Sequence, residues 1–180
     1  SLDEQTTTQL FRHKSHTNES RILPILLVAL ARSLHRGFSQ ETFVVDLESH
    51  GRDASPLGVD LDVSRTVGWF TSIYPVRLEW LSDMDWDQQI QNMVSILDKI
   101  PNHGLSYGLL RFGKDKPAVI VPSWLSFNFL GQLDSQDPSP LLNRIAPPGR
   151  LIAEENAPSY PFGVNCWVSN GRFEGEWIYD

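Results

Sequence analysis

Arg65-Thr66-Val67-Gly68-Trp69-Phe70-Thr71-Ser72-Ile73-Tyr74-Pro75-Val76 passes from a polar, glycine-containing loop into an aromatic and β-branched run. Such a run predicts a strand over about Phe70–Glu79. Pro75 lacks an N–H for a neighbouring strand, so it implies an edge position, a bulge or a break. Upstream, Gly51–Ser64 is rich in Gly, Pro, Asp and Ser and reads as a loop. Before that loop, Thr42–Glu48, with Phe-Val-Val-Asp-Leu at its heart, reads as a second strand that delivers Glu48 to the loop opening at Gly51.

Further outward the period changes. Leu23, Leu26, Leu27, Leu30 and Leu34 recur three and four apart, one apolar stripe of a helix over about Glu19–His35. Pro24 lies early in it, where its missing N–H is tolerated, and Gly37 is the expected stop. Ser1–Phe11 reads as a short helix with Asp3 and Glu4 at its dipole-favoured start, and His13–Asn18 as a connector. On the other side, Asp85–Lys99 reads as a helix capped by Asp83 or Asp85, burying Ile90, Met93, Val94 and Leu97. A helical turn is expected around Tyr107–Phe112. Strands are expected over Ala118–Val121, Trp124–Leu130, Leu151–Glu155, Gly163–Ser169 and Phe173–Tyr179. Asn170-Gly171 is a strong hairpin turn between the last two. Ser135–Gly149 reads as a long loop. Helices alternating with strands give an α/β class, a mixed sheet with packed helices.

Composition narrows the function classes. The chain has 180 residues, enough for one domain, and carries a formal charge of −7 without a basic block. That argues against a nucleic-acid binder, which would normally show a basic face, and fits poorly with anionic lipid. Cys166 is the only cysteine, so no intrachain disulfide forms, which fits a reducing cytosol. Ser1–Leu10 lacks the basic start and apolar run of a signal peptide. Ile22–Leu34 is too short to span a bilayer, which needs about 20 apolar residues. No membrane partner is expected, and a cytoplasmic location is. His13 and His16 have no carboxylate or cysteine at ligand spacing, so no metal site is expected.

Four ordered stretches resemble the core motifs of nonribosomal peptide synthetase epimerization domains, within the condensation-domain superfamily. Leu47-Glu48-Ser49-His50-Gly51-Arg52-Asp53 is similar to that family's Glu-Gly-His-Gly-Arg-Glu stretch, with Ser49 for Gly and Asp53 for Glu. The Arg65–Val76 stretch matches the next motif nearly throughout. Pro101-Asn102-His103-Gly104-Leu105-Ser106-Tyr107-Gly108 resembles the third, and Phe127-Asn128-Phe129-Leu130-Gly131 the fourth, with Phe129 where the family usually has Tyr. The His-His-x-x-x-Asp-Gly signature is absent, and none of the five histidines is adjacent to another. The resemblance therefore implies the C-terminal lobe of a two-lobed, chloramphenicol-acetyltransferase-like fold, with the N-terminal lobe lying outside this chain. It implies inactivity of this lobe alone.

Epimerizing a thioester-bound amino acid needs a proton taken from one face of the α-carbon and returned on the other. Glu48 stands at a strand end beside a glycine-containing loop that admits a substrate arm. By resemblance it takes the catalytic glutamate position, opposite a histidine of the absent motif. Asn128, an amide between two phenylalanines that needs a partner if buried, is a candidate for the thioester or pantetheine arm, or else a cross-strand structural bond. His50 reads first as a loop-ordering residue and second as a tunnel residue. Thr71 and Ser72 are expected along the tunnel. Arg52 or Arg65 would pair with the aspartate of the absent motif, or stand at the surface. Trp69, Phe70 and Tyr74 read as core or lobe-interface packing.

The implied substrate arrives on the phosphopantetheine of a peptidyl carrier protein, with no intrinsic cofactor. Two other readings stay open: a lobe of a peptide-bond-forming condensation domain, and a degenerate lobe that recruits a carrier protein or tailoring enzyme. An isolated copy is expected to be prone to self-association through its exposed apolar face.

Overall fold

The computed structural model describes residues 1–12, 22–52, 58, 62–113, 121–133 and 159–179. Among them, helices α1 (Glu4–Arg12), α2 (Ile22–Phe38), α3 (Trp86–Asp98) and α4 (Leu105–Phe112) accompany a five-stranded sheet. Its strands are β1 (Thr42–Ser49), β2 (Ser72–Glu79), β3 (Leu125–Gln132), β4 (Phe162–Ser169) and β5 (Arg172–Tyr179). They lie in the order β2-β1-β3-β4-β5. The outer pairs β1/β2 and β4/β5 are antiparallel, and the inner pairs β1/β3 and β3/β4 are parallel. The mixed α/β class expected from the sequence is the class observed.

The sheet has two unlike faces because side chains alternate along each strand. Phe43, Val45 and Leu47 of β1 share a face with Tyr74, Val76 and Leu78 of β2 and with Leu125 and Phe127 of β3. On them packs the α2 stripe, Leu27, Val28, Leu30, Ala31 and Leu34, with Met93 of α3. Fully burying each of the Leu, Val, Phe and Met side chains among them contributes about 1.5–3 kcal/mol. The packing fixes the strand register, because a slip by one residue would turn this apolar set outward.

Pro75 pairs with Asp46 while β2 forms the sheet edge, so its missing N–H leaves no ladder bond unmade on the solvent side. The α3 cap is Asp85: its Oδ1 accepts Gln88 N–H at 2.9 Å, and Gln88 Oε1 accepts Asp85 N–H at 3.0 Å, a reciprocal capping box. Asn170 and Gly171, with φ of 50° and 70°, join β4 to β5 in the two-residue turn the sequence predicts.

Several boundaries differ from expectation. Helix α2 does not stop at Gly37. It runs to Phe38, whose ring meets Trp124 at 5.3 Å and Phe43 at 6.3 Å, and ends at left-handed Ser39, whose N–H reaches His35 O at 2.8 Å. Strand β2 begins at Ser72 rather than Phe70, because Phe70 is tied to the preceding loop. The Phe70 carbonyl lies so near Gly51 that a Cβ there would stand 1.8 Å from it, and Gly51 takes a φ of +60°. Helix α4 begins at Leu105, after a 3-10 turn over Pro101–Gly104. The expected Leu151–Glu155 strand, residues 118–120 of the Ala118–Val121 strand, the Ser135–Gly149 loop and the His13–Asn18 connector lie outside the described residues, and described Val121 is not in a strand.

Candidate functional site

The second face of β1 carries Val44, Asp46 and Glu48, turned away from α2 and α3. In the parallel ladder to β3, Asp46 stands beside Ser126 and Leu47 beside Phe127, which brings Asn128 next to Glu48. Asn128 Nδ2 donates to Glu48 Oε2 at 2.9 Å, although 80 residues separate the two in the chain. Asn165 of β4 lies opposite Asn128. Glu48 is half-buried, and burial pushes its carboxyl above the ordinary value of 4.5, outweighing the amide's preference for the charged form. A carboxyl braced through one oxygen and short of water can bind and release a proton through the other at milder acidity than a surface glutamate. Both Glu48 and Asn128 emerge at this position as a single unit: the cross-strand bond and the site bond are the same bond.

The neighbouring motif residues have other tasks. His50 is exposed, and its Nδ1 accepts the Arg52 N–H at 3.1 Å, a loop-ordering contact. Arg52 does not reach outward as one of the two pairing candidates. Its guanidinium donates to Val63 O at 2.9 Å, Thr66 O at 3.0 Å and Gly68 O at 3.5 Å, and sits 4.4 Å over the Phe70 ring. A planar fork of donors suits this many-carbonyl grip. Arg65 is exposed on the same loop, and no contact to another described side chain holds it there.

Trp69 is 90% exposed, so it is not core packing within this chain. Tyr74 is buried against the backbone of Gly104. Thr71 is half-buried just before β2. Ser72 shares the helix-covered face with Tyr74, its Oγ buried without a hydrogen-bond partner among the described residues; strand alternation turns Ile73, not Ser72, toward Glu48's face. Phe129 likewise faces the core side and stacks on Phe173 at 6.5 Å. A hydroxyl at that position would stand across the sheet from Glu48.

Sequence reasoning missed two residues of this face. Asp46 is only 4% exposed, and its Oδ2 accepts the Tyr160 hydroxyl at 2.8 Å. Burial and the adjoining Asp46 charge push the Tyr160 phenol well above its ordinary range. A charged residue within the otherwise apolar run Phe43–Leu47 was itself a signal, since a buried carboxylate must find donors. Nothing in the sequence around Tyr160 announced it. Among the described residues, no group of three or more His, Cys, Asp and Glu stands together as a metal centre, and no helix is long and apolar enough to cross a membrane.

A mixed sheet with packed helices of this kind recurs in solved proteins. The condensation-domain model matches residues 1–180, and the chain belongs to the condensation-domain family of nonribosomal peptide synthetases. One of the subunits of mycosubtilin synthase from Bacillus subtilis is 37% identical over 166 residues, covering 89% of this chain but 6% of that protein. The crystal structure of the epimerization domain from the third module of tyrocidine synthetase B superposes with a TM-score of 0.83 at 29% identity, over 99% of this chain and 40% of that one. The first condensation domain of the CDA synthetase shares the fold, with a TM-score of 0.57 at 14% identity over 97% of this chain and 38% of that one. The chain thus spans well under half the length of the proteins it matches.

Proposed function

We propose that the chain is the second lobe of an epimerization domain, in which Glu48 exchanges a proton with the α-carbon of an L-aminoacyl or peptidyl thioester. The observation that carries this reading is the half-buried Glu48 carboxyl, raised by burial and braced by Asn128 on the face the helices leave. The substrate would be held on the phosphopantetheine arm of a peptidyl carrier protein. Removal of the α-proton leaves an enolate whose charge moves onto the thioester oxygen. Return of a proton from the opposite side inverts the centre. The thioester carbonyl is the electron sink, so the chemistry calls for no metal or redox cofactor. The second acid/base group would come from the N-terminal lobe of the complete domain, and this lobe alone is inactive on that account. A cytoplasmic setting belongs to the same reading.

The higher identity and TM-score with an epimerization domain than with a condensation domain support epimerization over peptide-bond formation. The test uses the complete domain with an L-aminoacyl carrier protein in deuterium oxide, with and without an acceptor aminoacyl carrier protein. The expected result is a D/L mixture bearing deuterium at the α-carbon, abolished by Glu48→Gln. A dipeptide without α-deuterium would instead mark a condensation domain. Carrier binding with neither product would mark a recruiting lobe.

A further inference from the structure

We infer that the open edge of β5, Gly175–Tyr179, is a self-pairing strand: two copies of the chain join edge to edge, antiparallel and centred on Trp177, into one continuous sheet. This surface lies apart from Glu48 and does not depend on the proton-transfer reading. Two bonds fix which backbone groups face outward. Phe173 O accepts the Leu2 N–H at 2.8 Å, and Phe173 N–H donates to Thr7 Oγ1 of α1 at 2.9 Å, so both groups point away from β4. Along an antiparallel strand that direction alternates, so Gly175, Trp177 and Tyr179 also turn N–H and C=O outward. The residues opposite Phe173 and Tyr179 on β4 agree. Val168 O accepts from Leu133 N–H and Phe162 N–H donates to Trp124 O, both on the β3 side. Among the described residues nothing bonds to the outward groups beyond Phe173, and every residue from Gly175 to Tyr179 is exposed.

The two edges of the sheet are treated differently. β2 lacks a donor at Pro75 and carries the Arg77–Glu79 ion pair, devices that discourage a neighbouring strand. Gly175–Tyr179 has no proline, lysine or bulge and displays Trp177, Ile178 and Tyr179, which are 56%, 42% and 71% exposed. This segment is complementary to itself. Only residues with outward groups form hydrogen-bonded pairs, and Phe173 is already engaged, so the antiparallel register that uses all three open residues is centred on Trp177. Trp177 then meets Trp177 of the second copy, and the Tyr179 ring covers Gly175 of the second copy. On the other face Glu176 stands against Ile178 of the second copy, so no carboxylate opposes another within the paired segment. With β2 protected, the pairing closes as a two-fold dimer rather than a fibre. The two aromatics offer on the order of 300 Å² per copy, about 600 Å² in all, half the lower limit of a standard interface. The formal charge of −7 on each copy also opposes approach. The dimer is therefore weak, with a dissociation constant on the order of 100 µM.

The test is sedimentation equilibrium of this chain across concentrations on either side of that value, with amide hydrogen exchange measured at both ends of the range. The amides of Gly175, Trp177 and Tyr179 should gain protection as concentration rises, while those of Glu174, Glu176 and Ile178, bonded to β4, stay protected throughout. Gly175→Pro removes one outward N–H at a position where an added Cβ meets only ordinary contacts, and should weaken association about tenfold or more. Ile178→Lys, set against Glu176 of the second copy, should tighten association about threefold, and Ile178→Glu should weaken it about threefold. If Gly175→Pro fails to fold, the two Ile178 variants decide. A monomer at every concentration, or outward amides that exchange equally fast at both ends of the range, overturns the inference. Equal weakening by Lys and Glu at position 178 overturns it too, because an apolar face without this register would then be responsible.

Discussion

Gly51→Ala places a methyl group where the structure has no room. The Cβ would stand 1.8 Å from the Phe70 carbonyl oxygen and 2.9 Å from its carbon, both backbone atoms that cannot rotate aside. At a φ of +60° the new residue also pays about 1–2 kcal/mol for the left-handed conformation. Separating the two segments pulls Phe70 from beneath the Arg52 guanidinium and strains that side chain's three carbonyl bonds. An exposed cation–π contact contributes about 0.5–1 kcal/mol, and each of these largely exposed hydrogen bonds about 1 kcal/mol. Losing the stack and one or two bonds gives a destabilisation of about 2.5–5 kcal/mol in all. Gly37→Ala is the matched control, for it lies in the last turn of α2 with nothing within 4 Å of the added Cβ. It should stabilise by about 0.5 kcal/mol. Urea unfolding of both variants, followed by circular dichroism, measures the two differences. A Gly51→Ala midpoint equal to or above wild type would refute the close approach of the two motifs.

Three further outcomes follow from the same structure. Leu27→Ala, at a fully buried α2 position, should cost about 3–5 kcal/mol in the same assay; a loss below about 1 kcal/mol would show that α2 does not seal the sheet. The Cys166 thiol is pushed up to about 12 by burial, so in native buffer at neutral pH it should react with a thiol reagent only at the rate of unfolding, and rapidly in urea. Glu48→Gln tests linkage: because the folded-state value lies above 4.5, wild-type stability falls as pH rises through the window between 4.5 and that value, and stays lowered above it. The variant lacks this loss, so its stability relative to wild type should be greater at pH 7 than at pH 4. An equal or smaller advantage at pH 7 contradicts the raised carboxyl.

What the sequence disclosed and what it withheld have separate physical causes. The α2 stripe, an aspartate cap at Asp83 or Asp85 and the Asn170-Gly171 turn are local patterns, while Pro75 allowed an edge position, a bulge or a break, and only the sheet order selects the edge. The place of Glu48 at a strand end beside glycine is also local, whereas its candidate role comes from the motif resemblance. The Gly37 stop failed because a long-range contact, Phe38 on Trp124, outweighs glycine's weak helix propensity. Ser72, expected along the tunnel, shares the helix-covered face with Tyr74, because the cross-strand register that pairs it with Ser49 is not written in the residue run itself. Asp46 and Tyr160 stand 114 residues apart. Their contact exists only once β1, β3 and β4 lie side by side, and no local pattern encodes that order.

The most direct measurement is a residue-resolved titration of the Glu48 side-chain carboxyl by carbon-13 NMR in this chain, assigned with Glu48→Gln. The account predicts a midpoint above 4.5, because burial disfavours the charged carboxylate. A midpoint at or below 4.5 in the folded wild-type chain would mean that Glu48 is an ordinary solvated carboxylate, and the proton-transfer role assigned to it would be withdrawn.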